Sequence, residues 1–404
     1  MTALVVISWI LLTITAMAMM YWLIFLLRVI RIQLTRPTVR RGLAGGDPEG
    51  GWPSVSVVVP AHNEERVIER CVRSILDQAY PDLELIVVLD RCTDRTRALL
   101  DPIAAEDDRL TLLSNESCPP DWAGKCHAAR LGARQARGDR LLFIDADTCC
   151  QPELFTSAIR IADTSNIALL SLLSTLTCEH YFERTAQPVA SMALMTLYPP
   201  DLVNREPKGR PFANGQFMLF NRESYESIGG HDAVKDDLLE DIAFARCISH
   251  DGGRVNILNA DGMFTCSMYS SIESFRTGWL RIFIEACKRK PARLRKMARR
   301  VFLTGVLLPL VFACGVGVGV VTALTPEDVQ GVGISLVMAA LMALVLQWVA
   351  LAIVYRMGHQ PISAVWRHPM GCFEVSRILR RAAGVLVRGE PVVWAGKSYV
   401  LEAR

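Results

Sequence analysis

Three long stretches without a charged side chain do most to limit what this 404-residue chain can become: Leu4 to Leu27, Val301 to Leu324 and Ile334 to Val354. The first holds roughly 24 residues, which at ~1.5 Å each exceed the ~30 Å hydrocarbon core of a bilayer. These runs account for the apolar fraction of 51%. The first has no positive cluster at its amino end and no small-residue cleavage site before Arg28, so it reads as a retained anchor rather than a secretory signal. Cations flank the runs unevenly. Arg28, Arg31, Arg36, Arg40 and Arg41 follow the first, and eight Lys or Arg lie in Lys288 to Arg300 ahead of the second, whereas the link Thr325 to Gly333 carries only Glu327 and Asp328. Positive flanks mark the cytoplasmic side. The pattern predicts a multi-pass protein of the cell inner (cytoplasmic) membrane, with the large central segment and the tail in the cytoplasm.

The net charge of +3 then says little about nucleic acid, and none is expected as a partner. The basic run abuts a span and lacks interleaved aromatics, which suits anionic phospholipid headgroups. Twelve cysteines are scattered without a C-x-x-C pair, so free thiols are expected. The glycines at 315, 317 and 319 lie inside the second apolar run, where close helix packing explains them better than a phosphate loop does.

Between the apolar runs, short hydrophobic stretches alternate with amphipathic ones, the signature of an α/β domain. Val55 to Val59, closed by Pro60, reads as a buried strand. A helix is expected next, with Asn63 as its cap, Glu64 and Glu65 at its positive end, and Val67, Ile68, Cys71, Val72, Ile75 and Leu76 as one apolar stripe. Leu83 to Leu89, Leu110 to Leu113 and Leu141 to Ile144 complete four parallel candidates, with a helix over Thr93 to Ala105. Asn214 to Phe220 reads as a further strand containing Gln216, Glu223 to Ile228 as a short helix, and Ile242 to Ile248 as a helix with an acidic start.

Ligands of such sheets sit at the carboxyl ends of the strands, where this chain places acids. Asp145 and Asp147 end the fourth strand two residues apart, a spacing that in extended chain sends both to the same side. Paired carboxylates suit Mg²⁺ or Mn²⁺ bridging to a phosphate, although a strand end is also often acidic for solubility alone. Asp90 ends the second strand and is suited to a turn or to accepting the imide N–H of a pyrimidine base. Asn63 and Glu64 fit a helix start as well as a ligand contact. Lys125, beside Gly124, is either a solvated lysine or a partner for a diphosphate. The acids Asp236, Asp237, Glu240 and Asp241 offer either dipole compensation or a general base.

In this order, the segment Val55 to Glu65, Leu89 to Asp94, the Gly124-Lys125 loop, Asp145-Ala146-Asp147 and Glu240-Asp241 resemble glycosyltransferase family 2, over roughly residues 50 to 290. The resemblance implies an α/β GT-A domain with a Rossmann-like mixed sheet, a nucleotide-sugar donor and an inverting, metal-dependent reaction. It further implies Asp90 near the base, Asp145 near the ribose and diphosphate, Asp147 with Asp145 on Mg²⁺ or Mn²⁺, and Asp241 as catalytic base. Pro60, Asn63, Glu64 and Lys125 join the donor set, and Gln216, Glu240, Trp279 and Arg281 the acceptor and diphosphate set. The span arrangement and the tail Val393 to Tyr399 look most like lipid-modifying members, among them ceramide glucosyltransferases and hopanoid- or carotenoid-associated enzymes.

Two departures stand out. Leu89-Asp90 replaces a paired-acid nucleotide segment, and the Gln-x-x-Arg-Trp element of processive synthases is not intact around Trp279 and Arg281, residues that a basic interfacial helix with a Trp anchor would also predict. The expected division is an anchor over 1–30, a glycosyltransferase domain over 50–270, a basic interfacial helix over 271–300, a transmembrane hairpin over 301–355 and an interfacial tail over 356–404. The expected activity is transfer of a sugar, from a UDP-sugar by preference, to a hydroxyl or carboxyl of a membrane lipid. A polysaccharide synthase is the alternative within the family, and a non-catalytic nucleotide-binding membrane subunit the alternative outside it.

Overall fold

A seven-stranded sheet carries the central segment of the computed structural model, which describes residues 2–48, 50–205, 210–325, 327–394 and 397–404. Its first strand, β1 (Val55–Ala61), shows why the sheet forms. Val55, Val57 and Val59 join one apolar cluster and Val58 another. A β-branched run covered on both faces is the ordinary state of a strand in a parallel sheet. β2 (Leu83–Asp90), β3 (Leu110–Asn115) and β4 (Arg140–Ile144) extend it in parallel in the order β3-β2-β1-β4. These are the four parallel strands expected.

Beyond β4 the direction changes. β5 (Thr148–Cys150), β6 (Leu169–Leu173) and β7 (Thr175–Leu176) come next in sequence. β8 (Phe217–Asn221) then runs antiparallel between β4 and β6, and β9 (Val255–Asn259) pairs in parallel with β6. β10 (Phe264–Cys266) joins β5 and β7 in a small separate sheet. The result is a mixed α/β sheet, parallel from β3 to β4 and antiparallel on both sides of β8. β8 begins three residues later than the expected strand: Phe217 N donates to Asn214 O, so Asn214 to Gln216 form a turn.

The helices α2 (Ile68–Leu76), α3 (Thr96–Glu106), α4 (Gly124–Gln135) and α5 (Leu154–Thr164) connect the strands of this half. α2 buries Ile68, Cys71, Val72 and Ile75, most of the expected stripe. Its cap is not Asn63. That residue takes left-handed backbone (φ 58°) and its Oδ1 accepts from Thr93 N at 2.7 Å. A short amide that bonds a neighbouring loop competes with capping, and the helix starts five residues later.

α6 (Tyr181–Thr185), α7 (Gln187–Leu197) and α8 (Pro200–Val203) come next; of the Pro-rich and basic loop Tyr198 to Pro211, residues 206–209 lie outside the described residues. α9 (Arg222–Ser227) and α10 (Glu240–His250) follow. The stretch 271–300, expected as one basic helix, is two. α11 (Ile272–Ala286) buries Phe275, Trp279 and Phe283, and α12 (Pro291–Phe302) carries the cations. Lys288 and Arg289 between them have positive φ (58° and 53°), and Pro291 cannot continue a preceding helix.

Among the described residues, three helices are long and apolar enough to cross a membrane. They are α1 (Thr2–Thr35), the continuous run of α12 through a π-helical turn at Leu303–Leu307 into α13 (Leu308–Ala323), and α14 (Glu327–Met357). α13 and α14 pack where glycine permits: a Cβ on Gly319 would meet Gly333 O at 2.9 Å, and one on Gly315 would touch Leu336 and Ala340. Gly317 has nothing within 4 Å and plays no such part. α15 (His368–Arg388) lies against α12 and α11, and a hairpin of β11 (Pro391–Trp394) and β12 (Lys397–Val400) follows it.

Candidate active site

Lys125, the second residue of α4, stands at the centre of a charged cluster. Its Nζ lies 2.7 Å from Asp145 Oδ1 and 2.6 Å from Glu240 Oε1. Beside it, Gly215 N donates to Asp241 Oδ2 at 2.8 Å. A Cβ on Gly215 would stand 3.1 Å from Lys125 Nζ and 3.3 Å from both Glu240 Oε1 and Asp241 Oδ2. A residue without a side chain is what lets three charged groups close around this point. Four chain segments supply the parts: the end of β4, the start of α4, the turn before β8 and the start of α10.

Local bonds place the two acids after β4. Asp145 N donates to Gln216 O at 3.3 Å, Thr148 Oγ1 to Asp145 O at 2.7 Å, and Ser267 N to Asp147 O at 2.9 Å. The segment is a turn tied to β8 and β10 rather than extended strand, yet both side chains still face one cavity. The cavity holds about 800 Å³ and is lined by Pro60, Glu64, Asp90, Lys125, Asp145, Asp147, Gln216, Glu240, Asp241, Trp279 and Arg281. Of the residues expected at the site, only Asn63 is not among its lining.

Burial and mutual repulsion strain these acids. Burial, and then the Asp145 charge, push the Asp147 carboxyl up to about 7. Burial followed by Glu240 does the same for Asp241, also to about 7. Burial raises Asp145 as well, against the pull of Lys125, whereas for Glu240 burial is opposed by the Lys125 charge and hydrogen bond, its own backbone amide and Arg281, which together lower it. Glu64, whose role as a mere helix start was one reading, is pushed up to about 8 by burial and by Asp147, Asp145 and Asp94. Burial opposes the Lys125 charge, but Asp145 and Glu240 more than offset it and hold the ammonium protonated.

The end of the cavity at Asp90 is built differently. Asp90 Oδ1 accepts from Asn115 Nδ2 at 2.7 Å and from Arg91 Nε at 3.1 Å, while Oδ2 meets Arg91 Nη2 at 2.6 Å. Arg91 reaches back because its own backbone is left-handed (φ 51°). His62 Nδ1 lies 2.6 Å from Asp90 O.

Trp279 is only 2% exposed, so it is not an interfacial anchor but part of the cavity wall. Arg281 Nη1 donates to Leu238 O at 2.6 Å, and its charge reaches Asp145 and Glu240. Gln216 was expected at the site, but Gly215 was not, and the segment was read as strand although its Asn-Gly pair is a turn signal. The membrane-side lining of the same cavity, Tyr21, Trp22 and Phe25 of α1, Met192 of α7 and Tyr355 of α14, had no distinguishing signal in the sequence.

The residues present fit a divalent cation that arrives with its ligand. Asp147 Oδ1 is buried with no hydrogen-bond partner among the described residues, beside the half-buried Asp145. Orphaned carboxylate oxygen in low dielectric is costly unless paired. Among the described residues no cluster of three or more His, Cys, Asp or Glu could hold an ion. Asp145 and Asp147 could supply two oxygen ligands of the kind hard cations share with substrate phosphates.

Residues 56–229 match the family model described as Glycosyl transferase family 2. This segment belongs to glycosyl transferase family 2. The family 2 domain thus contains β1 to β8, Asp90, Lys125, Asp145, Asp147 and Gly215, while Glu240, Asp241, Trp279 and Arg281 lie beyond the matched segment. Two curated relatives, both named 4,4'-diaponeurosporenoate glycosyltransferase, are 26% identical over 231 residues; one is from Staphylococcus aureus (strain bovine RF122 / ET3-1) and the other from Staphylococcus haemolyticus (strain JCSC1435). The match spans 56% of this chain and 60% of each relative's length. Among solved structures, a mannosyltransferase of Pyrobaculum calidifontis in complex with GDP-Man and Mn²⁺ is similar at TM-score 0.47 and 20% identity, covering 95% of this chain and 98% of its own. S. aureus TarS 1-349 in complex with UDP-GlcNAc is similar at TM-score 0.41 and 15% identity, over 86% of this chain and 96% of its own.

Proposed function

We propose that the protein is an inverting glycosyltransferase that moves one sugar from a UDP-sugar to the hydroxyl of a membrane lipid at the cytoplasmic face of the membrane. The observation that carries this reading is continuity. One cavity is lined both by the charged cluster at the carboxyl ends of the strands and by aromatic residues of the spans. A donor that is polar throughout has no use for Tyr21, Trp22 and Phe25, whereas an acceptor with an apolar chain does.

In this reading the base lies towards Asp90 and Asn115, and the diphosphate meets Lys125 and Arg281. A Mg²⁺ or Mn²⁺ ion held by Asp147 and Asp145 would neutralise phosphate charge. Lys125, shared between two carboxylates before the donor arrives, is held where departing negative charge develops. Asp241 is the general base. Its carboxylate is fixed by the Gly215 and Ile242 amides, at 2.8 and 2.7 Å, and its pKa near 7 suits removal of a hydroxyl proton at neutral pH. Single in-line displacement at the anomeric carbon inverts its configuration. Trp279 closes the wall beside the acceptor.

The relatives' name refers to a carboxylate substrate, which supports a second reading with a lipid acid as acceptor. A carboxylate arrives ionised and needs no base, so the near-neutral Asp241 favours the hydroxyl. Trp366, just ahead of α15, and Met370 and Phe373 on it are exposed, and α15 continues into Arg377, Arg380 and Arg381. Arg380 lies over Phe302 of α12, the helix that continues into a span. This surface suits anionic phospholipid headgroups and a catalytic domain held against the inner leaflet.

Membranes containing the protein, incubated with labelled UDP-glucose, UDP-GlcNAc, UDP-galactose and GDP-mannose, should yield an organic-extractable product bearing a single sugar from one donor. Label only in a water-soluble polymer, or in no product, would overturn the proposal.

A further inference from the structure

The hairpin β11–β12 follows the three long apolar helices in sequence, yet in space it returns to the turn ahead of α4. Lys397, the first residue of β12, directs Nζ at three carbonyl oxygens: Trp122 at 2.7 Å, Pro120 at 2.9 Å and Pro119 at 3.4 Å. An ammonium has three N–H donors and no acceptor, so this one contact uses its whole donor set. The three carbonyls belong to the turn directly ahead of α4, whose second residue is Lys125. On the same strand the Tyr399 ring lies 5.6 Å from Lys397 Nζ, and its hydroxyl lies against the Gly124 backbone amide.

The gripped turn needs an external hold. No residue from Glu116 to Ala123 belongs to a strand or helix, and Ala123, the cap of α4, offers no side-chain bond to the helix start. Its opposite side is fixed by Ala123 N donating to Lys235 O at 2.6 Å, by Lys235 Nζ at 2.7 Å from Asp121 Oδ2, and by Arg130 over the Trp122 ring at 4.9 Å. The Lys235–Asp121 pair is largely exposed and contributes little. The Lys397 contact, a charged donor on three backbone acceptors, is the stronger of the two holds.

We infer that Lys397 is a positioning residue for the donor diphosphate: it fixes the turn Pro119–Trp122 and thereby the place of Lys125 between Asp145 and Glu240. This rests on the reading that Lys125 meets the diphosphate. Lysine suits the task better than arginine, because a tetrahedral ammonium can point its protons at three carbonyls while a planar guanidinium cannot.

The test is calorimetric binding of UDP and UMP to the full-length protein, with GDP and GMP in parallel; the monophosphates lack the second phosphate. Lys397→Met should weaken diphosphate binding about tenfold or more while monophosphate binding stays within about twofold. Lys397→Arg should show the same selectivity at a smaller size, and decides the matter if the Met variant does not fold. Equal weakening of diphosphate and monophosphate, or no weakening of either, would overturn the inference. Lys125→Ala separates the two levels of the argument: if it fails to reduce the preference for the diphosphate, the placement of Lys125 falls, whereas loss of preference in Lys125→Ala with none in the Lys397 variants removes only the strap.

Discussion

The two ends of the cavity treat their acids in opposite ways. At the end proposed for the base, Asp90 is satisfied, its oxygens taken up by Asn115 and Arg91. At the end proposed for the diphosphate, Asp147 has an orphaned buried oxygen, Asp147 and Asp241 are pushed up to about 7, and Glu64 to about 8. A satisfied carboxylate is a fixed part of the scaffold. An unsatisfied one is poised for a cation or a proton, so chemistry is expected at the second end and shape recognition at the first.

The sharpest break would come from Asp241→Asn, for which turnover should fall about 10²–10⁴-fold, the usual worth of a general base. Donor binding by calorimetry should be unchanged; near-normal turnover would remove Asp241 as base and favour a carboxylate acceptor. The same residue predicts a pH dependence. Its protonated form cannot take a proton, so kcat/KM should fall as pH drops below about 7 and level off above it. In Asp241→Asn, whatever residual rate remains should lose that limb.

Next in size is Asp147→Ala. The increment in nucleotide affinity that Mn²⁺ provides should disappear, while metal-free binding stays; a persistent increment would show that the orphaned oxygen is not a ligand. Gly215→Ala is milder. Its Cβ would press on three charged atoms at 3.1 to 3.3 Å, so the cluster must open by a few tenths of an ångström. Turnover should drop about tenfold, since a full 1 Å misplacement can cost ~10²-fold, with thermal stability little changed. Asp90→Ala should have the smallest effect on turnover and the largest on stability. Leaving the Asn115 and Arg91 donors without their acceptor costs about 1–3 kcal/mol, measurable by denaturant titration. If instead it matched Asp241→Asn in turnover, the contrast between the two ends would collapse.

Much of this was legible along the chain because the responsible forces are local. The Val55 to Val59 run is β-branched and apolar on both faces, and it becomes the strand it predicts. Asp90, Asp145 and Asp147 stand where apolar runs stop. Other features misled for physical reasons. Asn63 carries a good capping side chain, but a loop amide from Thr93 competes for it. Lys288 to Pro291 sits inside a continuous basic pattern, and only the backbone reversal at Lys288 and Arg289 divides the helix. Trp279 has the composition of a membrane anchor and is buried because α11 turns it inward.

Hydropathy, side-chain period and the stopping points of apolar runs depend on neighbours within a few residues, and from them the chain alone determined three helices long and apolar enough to cross a membrane, a parallel half-sheet and acids at its edge. What no local rule contains is the meeting of Lys125 with Glu240, the intrusion of Gly215 between them, and the return of Lys397 across more than half the chain to the turn ahead of α4. Those contacts exist only once sheet, spans and tail have packed. A charge finds its partner by distance in space, and distance in space is the one quantity that side-chain order does not encode locally.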